Sequence, residues 1–342
     1  MNQEPIRLAH VGVGYWGRNV LRNFASLPGV ELLWVCDRDL DRARLQLPGP
    51  GVQVTDRFED VLADGRVQAV SIATPTEWHY AMARQALESG RDVFVEKPMT
   101  LTVEEALRLV ELVERTGRIL MVGHLLLYHP AFVYAESLIE RGELGQVYYL
   151  YTTRVNLGIV RRHENAFQSL APHDIALAIQ YLRDQPVAVS AHGRAFLQPG
   201  IEDVVFATIY FASGRIAHLH TSWLDPHKVR RATLVGSRKM VVIDDVEAIE
   251  KVRIYDKGVD FRPTEPRMYE TYTEAMTIRD GDIYIPRIPM QEPLRLECEH
   301  FIRCVRERRQ PKSDVHNGLQ VVRVLEAAQR SLRSGRTEPI AG

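Results

Sequence analysis

The sequence contains few cysteines, and this scarcity limits the kinds of site it can build. Cys36, Cys298 and Cys304 are the only three, and none forms a Cys-x-x-Cys pair. An odd, widely spaced set does not supply a disulfide framework or the paired ligands of a zinc site. Because sparse cysteines are typical of reducing compartments, we expect a cytoplasmic protein without a metal centre.

Long apolar runs and an excess of charge are also absent. No stretch approaches the roughly 18 apolar residues that a membrane helix needs, and the first residues lack the basic and apolar regions of a signal peptide. The 43 basic and 44 acidic residues give a net charge of −1. That balance excludes the broad basic surface of a nucleic-acid-binding protein. We therefore expect a small-molecule partner, with neither a membrane nor a nucleic acid involved.

The first third of the chain alternates short apolar runs with helical patterns. Parallel strands need crossover connections, so this alternation predicts a doubly wound parallel sheet of Rossmann type over residues 1–123. Predicted strands cover 6–14, 31–37, 68–75, 91–98 and 118–124, and predicted helices cover 18–27, 58–63, 79–89 and 102–116.

After His124 the pattern changes to closely spaced strands. Short turns between consecutive strands predict an α+β domain over 124–342 with a large, mostly antiparallel open sheet. We expect an irregular excursion over 257–293 and a loose C-terminus in the last ten residues. Helices 294–308 and 319–332 can pack back on the first domain. The other predicted elements are helices 130–141 and 172–182 and strands 147–156, 186–193, 203–212, 215–223, 231–236, 239–245 and 251–256.

A glycine-rich motif, Gly-x-Gly-x-x-Gly, follows the first strand and opens a helix. Such glycines permit a tight turn and close approach of backbone N–H groups to a pyrophosphate. Asp37 ends the next strand 20 residues after Gly17, where a carboxylate accepts hydrogen bonds from the adenosine ribose. Its charge favours NAD over NADP, but a neighbouring arginine could pair with a 2′-phosphate, so NADP stays open. The predicted cofactor contacts here are Gly12, Gly14, Tyr15, Trp16, Gly17, Asp37 and Arg38.

Two further segments end predicted parallel strands, which is the edge where open α/β sheets bind ligands. Thr74 and Pro75 end one strand, and His79 begins the following helix; we assign all three to the cofactor site. Glu96 and Lys97 end the next strand and are assigned there too. A partly desolvated lysine at such a place can polarise a substrate hydroxyl or carry its proton.

His173 and Asp174 form the remaining candidate pair. Histidine is the commonest acid–base residue near neutrality. We place the pair at the start of a helix after Pro172, where Asp174 could cap the helix or orient the histidine. The predicted catalytic residues are therefore Lys97, His173 and Asp174.

Together these motifs resemble the Gfo/Idh/MocA oxidoreductase family over essentially the whole chain. The resemblance rests on GxGYWGRN at 12–19, ATP at 73–75, EKP at 96–98 and HD at 173–174. It implies an NAD(P)-binding Rossmann domain, proton transfer by Lys97 and His173, a cis Lys97–Pro98 bond and a homo-oligomer built on the C-terminal sheet. Many relatives carry aspartate where this chain has Ser169, which removes one carboxylate from the proton relay.

A narrower resemblance points to nucleotide-sugar 3-dehydrogenases that act on UDP-N-acetylglucosamine or its uronate. It rests on HLLLYHPA (124–131), RVNLGIVRRHENAF (154–167) and SWLDPHKVR (222–230). Arginines can meet the negative charge of a sugar diphosphate, asparagines its hydroxyls, and a tyrosine its ring. The predicted substrate contacts are Lys97, Tyr128, Arg154, Asn156, Arg161, Asn165 and His173, with Arg162, Lys228 and Arg230 as further cations.

The sequence leaves several functions open. The leading hypothesis is NAD-dependent hydride transfer from a sugar-ring hydroxyl, at C3 of a nucleotide sugar. The alternatives are a dehydrogenase of a free sugar or inositol, a ketoreductase working in reverse, and a non-catalytic NAD-binding regulator. Retention of both Lys97 and His173 argues against the last of these.

Overall fold

The computed structural model describes residues 4–261 and 276–340. The chain divides into two compact units, Met1–His129 with Gln291–Glu326, and Pro130–Met290 with Ala327–Gly342. The domain limits 1–123 and 124–342 remain predictions.

The first unit is built on a six-stranded parallel sheet. Its strands are β1 (Ile6–Val11), β2 (Val30–Cys36), β3 (Gln53–Thr55), β4 (Ala69–Ile72), β5 (Asp92–Glu96) and β6 (Leu120–Gly123). They lie in the order β3-β2-β1-β4-β5-β6 with parallel pairing throughout. This is the strand order of a Rossmann fold, so the predicted doubly wound sheet is confirmed. β3 was not predicted, because three residues are too few to show a pattern.

Helices cover the sheet of the first unit. They are α1 (Gly17–Ser26), α2 (Leu40–Leu45), α3 (Phe58–Ala63), α4 (His79–Glu88) and α5 (Val103–Thr116), with 3₁₀ turns at Thr76–Trp78 and Leu125–Tyr128. α5 begins with a capping box between Thr102 and Glu105. Helix α8 (Pro293–Glu307) also packs here. Its Phe301 meets Phe24 and Phe94 edge to face, with ring centroids 5.5–5.9 Å apart.

The second unit carries a nine-stranded sheet. Its strands are β7 (Val147–Val155), β8 (Pro186–Arg194), β9 (Val204–Phe211), β10 (Ile216–Ser222), β11 (Val229–Gly236), β12 (Met240–Asp244), β13 (Val252–Phe261), β14 (Met276–Tyr284) and β15 (Glu338–Pro339). The order is β14-β13-β12-β11-β7-β10-β9-β8-β15. Every neighbouring pair is antiparallel except β7 with β10. The predicted large, mostly antiparallel sheet is therefore confirmed.

Helices α6 (Pro130–Glu140) and α7 (Ala166–Leu182) belong to the second unit, and α9 (Val315–Ser334) begins in the first unit and ends in the second. Helix α7 begins at Ala166 rather than at Pro172. Asn165 caps it by accepting a hydrogen bond from the Gln168 backbone and donating its own N–H to the Gln168 side chain. The cap sets the start of the helix, which continues through Pro172 although a proline removes one internal backbone hydrogen bond.

Two expectations about the C-terminal half were wrong. The segment predicted to be irregular contains the end of β13 and all of β14, which pair with each other, although its residues 262–275 lie outside the described part. The last ten residues were expected to be loose, but β15 pairs with β8 through Glu338 and Pro339. Short edge strands such as β15 gain their order from the sheet they join, which the local sequence does not reveal.

Candidate functional site

The glycine-rich turn after β1 is shaped by the absence of side chains. A Cβ atom on Gly17 would lie 1.9 Å from the Gly12 carbonyl oxygen, and one on Gly12 would lie 2.8 Å from the Ala73 backbone. Gly12 also has a φ of +93°, a conformation that favours glycine. Nothing lies within 4 Å of a Cβ built on Gly14. The turn is thus closed on its inner side and open over Gly14, as approach of a pyrophosphate to the backbone requires.

His10, in β1, forms a hydrogen bond to this turn, a role that the sequence did not predict. The side chain is fully buried, and its Nε2 lies 2.9 Å from the Gly12 carbonyl oxygen. Nδ1 lies 3.2 Å from the Ser71 hydroxyl. Burial lowers the pKa of His10 to about 4, so the ring is neutral near pH 7. Since a carbonyl can only accept, Nε2 carries the proton. A histidine between the apolar residues Ala9 and Val11 of β1 was the signal that could have identified it.

Asp37 lies at the end of β2, where a ribose-binding carboxylate is expected. Its Oδ2 accepts from the Val13 N–H at 2.7 Å, and its Oδ1 accepts from the Asp39 N–H at 2.9 Å and from Arg42 at 2.6 Å. Burial raises the pKa of this carboxyl, but the three hydrogen bonds outweigh burial and hold it below its usual value. Because a carboxylate offers about four acceptor positions, about one remains for a ribose hydroxyl.

The arginine that meets Asp37 is Arg42, which the sequence reasoning did not consider. Arg38, which was predicted to contact the cofactor, is exposed. Arg42 lies in α2 and pairs with Asp37, five residues earlier in the chain. Only a prediction of that short helix could have indicated the pairing. Tyr15, another predicted cofactor contact, is also largely exposed, with the Arg18 guanidinium 5.6 Å from its ring centroid.

Glu96 ties the glycine-rich turn to the end of β5. Its Oε1 accepts from the Trp16 indole N–H at 2.8 Å, and its Oε2 accepts from the Lys97 backbone N–H at 3.2 Å. Gly123 on the neighbouring strand leaves room for this carboxyl, since a Cβ there would lie 3.1 Å from it. The Lys97–Pro98 bond is cis, as predicted. The Glu96 carboxyl therefore holds the next residue, Lys97, beside the glycine-rich turn.

His79 connects the loop after β4 with the segment after β5 at the carboxyl edge of the sheet. Its ring nitrogens lie 2.8 Å from the carbonyl oxygens of Thr74 and Pro98. Burial and the Lys97 charge lower its pKa, although both carbonyl contacts favour the protonated ring. Thr74 and Pro75, which precede it, form the loop after β4. The predicted cofactor residues of the first unit thus converge on one sheet edge, and His79 holds the loops that form it.

Two more groups of the first unit bear on the predicted site. His124 is fully buried, and burial together with the Lys97 charge lowers its pKa to about 3. It therefore adds no positive charge near Lys97 at neutral pH. Tyr128, predicted to stack on a sugar, is buried instead, with its hydroxyl 2.9 Å from the Ser313 hydroxyl.

In the second unit, His173 and Asp174 lie well inside α7 rather than at its start. Asp174 does not cap the helix as expected. It forms a two-point ion pair with Arg154 of β7, at 2.8 and 2.9 Å, and both side chains are buried. This pairing balances the Arg154 charge that was expected to meet a diphosphate. His173 is partly buried, one helical turn after Ser169.

The other predicted substrate contacts of the second unit take no part in that ion pair. Asn165 is the α7 cap, and its amide also donates to Glu202 at 2.7 Å. Arg161 is exposed and lies 3.6 Å from Glu164, while Arg162 is exposed beside it. Asn156 follows β7, with its backbone N–H bonded to Ser222.

Removal of the Asp174 charge tests whether this residue serves the fold. We expect Asp174→Asn to lower the free energy of unfolding by about 3–5 kcal/mol, because Arg154 would stay buried without its partner. The control Glu164→Gln breaks the partly exposed pair with Arg161 and should cost less than about 1 kcal/mol. Urea unfolding measures both. An Asp174→Asn protein of unchanged stability and no activity would contradict the structural role.

The Glu96 carboxyl gives a second test. Burial raises its pKa from 4.5 to about 7, although Trp16 and Lys97 oppose the shift. The folded chain then binds a proton that the unfolded chain releases between about pH 4.5 and 7, so the free energy of unfolding falls as pH rises through that window. Glu96→Gln should reduce this decrease in the free energy of unfolding by on the order of 3 kcal/mol.

Urea unfolding at several pH values between 4 and 8 measures the Glu96 effect. Glu297 is also buried, and burial and the Glu96 charge raise its pKa well above the ordinary value, so part of the slope remains. Glu104→Gln, an exposed change on α5, should leave the slope intact. An unaltered slope in Glu96→Gln would show that this carboxyl does not titrate there.

Comparison with known proteins agrees with this geometry. A family model described as an oxidoreductase family with an NAD-binding Rossmann fold matches residues 6–124. A second model, for the GFO/IDH/MocA C-terminal domain, matches residues 132–242. Together they cover most of both units.

Individual proteins match along nearly the whole chain. The scyllo-inositol 2-dehydrogenase (NAD(+)) of Bacillus subtilis is 29% identical over 351 residues, covering 97% of this chain and 96% of that protein. The UDP-N-acetylglucosamine 3-dehydrogenase of Acidithiobacillus ferrooxidans is 26% identical over 324 residues, covering 94% and 95%. The crystal structure of GenD2 from gentamicin A biosynthesis, in complex with NAD, superposes with a TM-score of 0.82 at 25% identity, covering 100% and 98%. Among the helices that the structure describes, none has the length and apolarity to span a bilayer.

Proposed function

The chain belongs to the Gfo/Idh/MocA family of NAD-binding oxidoreductases, and on that basis we propose that it oxidises a ring hydroxyl of a sugar, at C3 of a nucleotide sugar. The observation that carries the proposal is the Trp16–Glu96 hydrogen bond, which holds Lys97 beside the glycine-rich turn. A lysine in that place can act on a hydroxyl next to the nicotinamide.

The proposed chemistry divides the work between cofactor and protein. When bound at the glycine-rich turn, NAD would supply the acceptor for the hydride that leaves the carbon carrying the hydroxyl. Lys97 holds that hydroxyl and relays its proton to His173, so that a ketone and one proton would result. Glu96 and His79 position the segment that carries Lys97. In the reverse direction the same groups return the proton, and the site reduces a ketone.

The nucleotide sugar is favoured by the exposed cations after β7. Arg161 and Arg162 can form charge-assisted hydrogen bonds to a diphosphate, and Lys228 is a further cation. Likeness to the UDP-N-acetylglucosamine 3-dehydrogenase of Acidithiobacillus ferrooxidans supports this choice. A free polyol is the second candidate, because the scyllo-inositol 2-dehydrogenase of Bacillus subtilis is similar along the whole chain and Arg154 is already paired.

Turnover on a matched panel tests the substrate. We expect NADH formation with NAD and UDP-N-acetylglucosamine or its uronate, and none with free hexoses or myo-inositol. NADP, assayed in parallel, should support less turnover because Asp37 would face a 2′-phosphate. Activity on polyols alone would reject the nucleotide sugar and favour the second candidate. NAD binding without turnover in either direction would indicate a regulatory protein.

The same assay tests the residues. Lys97→Ala should lower kcat about 100-fold or more while changing the Kd of NAD little, since the loss concerns proton transfer. His173→Ala should also act mainly on kcat. Lys257→Ala removes an exposed lysine paired with Asp280 and serves as the control. Unchanged turnover in Lys97→Ala would reject the role assigned to this lysine.

Assembly through the open sheet remains a prediction. One face of strands β7, β9 and β10 exposes a set of large side chains whose burial against a second copy would be favourable: Tyr149, Tyr151, Phe206, Tyr210 and Ile216. Light scattering after size-exclusion chromatography measures the mass in solution. A homo-oligomer that Tyr151→Asp/Tyr210→Asp converts to a monomer is expected, and a wild-type monomer would contradict the prediction.

A further inference from the structure

A cavity of about 810 Å³ lies in the first unit at the amino ends of β1, β4 and β5. Ile6 and Asp92, the first residues of β1 and β5, line it. The glycine-rich turn and Lys97 follow the carboxyl ends of the same strands. Because all strands of this sheet are parallel, the cavity opens at the edge opposite the cofactor edge, and its size is that of a small-molecule site.

Positive charge dominates the lining of this cavity. Arg91, Arg118, Arg306 and Arg308 line it, against Asp92 and Glu4 as the lining acids. The Asp92 carboxylate is already engaged, accepting from Arg308 at 2.6 Å and from the Ile119 N–H at 2.8 Å.

The other three guanidinium groups outnumber Glu4, the remaining lining carboxylate. Among residues 4–261 and 276–340, no carboxylate forms an ion pair with Arg91, Arg118 or Arg306. Most other short arginine contacts of this unit are to carboxylates, as in the pair of Arg66 with Asp64 at 2.7 Å. Three unpaired cations around one cavity repel each other, and a bound anion would relieve that repulsion.

Backbone carbonyl groups hold two of these arginines in place without neutralising them. Arg91 donates to the carbonyl oxygens of Leu62 at 2.9 Å and Asp64 at 3.2 Å. Arg306 donates to the Gly29 carbonyl oxygen at 3.1 Å. The Nε atoms of both are buried and have no hydrogen-bond partner. Fixed guanidinium groups lose little side-chain entropy when they bind a ligand, so this arrangement is preorganised for an anion.

We propose that this cavity binds the phosphate group of a small phosphorylated organic molecule. A phosphate offers several acceptor oxygens and up to two negative charges, which match forked donors arriving from different sides. Ile6, Val67 and Val305 also line the cavity and provide an apolar wall for the organic part. The site goes beyond the proposed function, because no step of hydride transfer uses the amino edge of the sheet.

Calorimetric titration of NAD-saturated protein tests the proposal, since NAD then blocks the cofactor's own phosphate contacts. The probes are phenyl phosphate and inorganic phosphate. We expect saturable binding of phenyl phosphate, tighter than that of inorganic phosphate because of the apolar wall. Equal affinity for the two probes would reject the organic part of the proposal, and absence of saturable binding would reject the site.

Matched variants locate the binding. The double variant Arg118→Gln/Arg306→Gln should weaken phenyl phosphate at least about tenfold, through loss of two charged donors. Arg115→Gln removes an exposed arginine three residues from Arg118 and outside the cavity, and it should change the Kd less than twofold. If the double variant unfolds, Arg118→Gln alone is measured. Among the described residues, none forms a hydrogen bond or an ion pair with the Arg118 side chain, so this substitution should leave the fold intact. Affinity equal to wild type in the folded variant would overturn the proposal.

Discussion

The turn after β1 has no space for a side chain at Gly12 or Gly17, and the arrangement of the cofactor edge depends on this constraint. Close contact of the two glycine backbones lets α1 start directly against the end of the sheet. Trp16, one residue before that helix, then reaches the Glu96 carboxyl. Backbone packing in the loop after β1 therefore helps to position Lys97, which follows β5, two strands away in the sheet.

Burial of ionisable groups gives this edge its electrostatic character. His10, His79 and His124 are removed from water, and burial lowers the pKa of each, which leaves His10 and His124 neutral near pH 7. Glu96 is also buried and holds its proton to about pH 7. A low-dielectric surrounding strengthens each remaining interaction, which suits a site that must orient one hydroxyl and move one proton.

The second unit uses a buried charge differently. Arg154 and Asp174 satisfy each other through two hydrogen bonds and join α7 to β7. A pair of this kind is costly to break, because the surviving partner would remain buried and charged. It also withdraws Arg154 from the cations available to a substrate, so Arg161 and Arg162 become the better candidates for contact with a diphosphate.

The sequence by itself determined the parallel sheet, the glycine-rich turn and the cis Lys97–Pro98 bond, because local patterns and the motif resemblance carry that information. It did not determine the start of α7, the pairing of Asp37 with Arg42, the partner of Asp174 or the arginine-lined cavity. Each of these depends on groups that packing brings together or, for α7, on a capping box that precedes Pro172. Tertiary structure decided them because burial and pairing set the energy of a charge, and neither is visible along a single strand or helix.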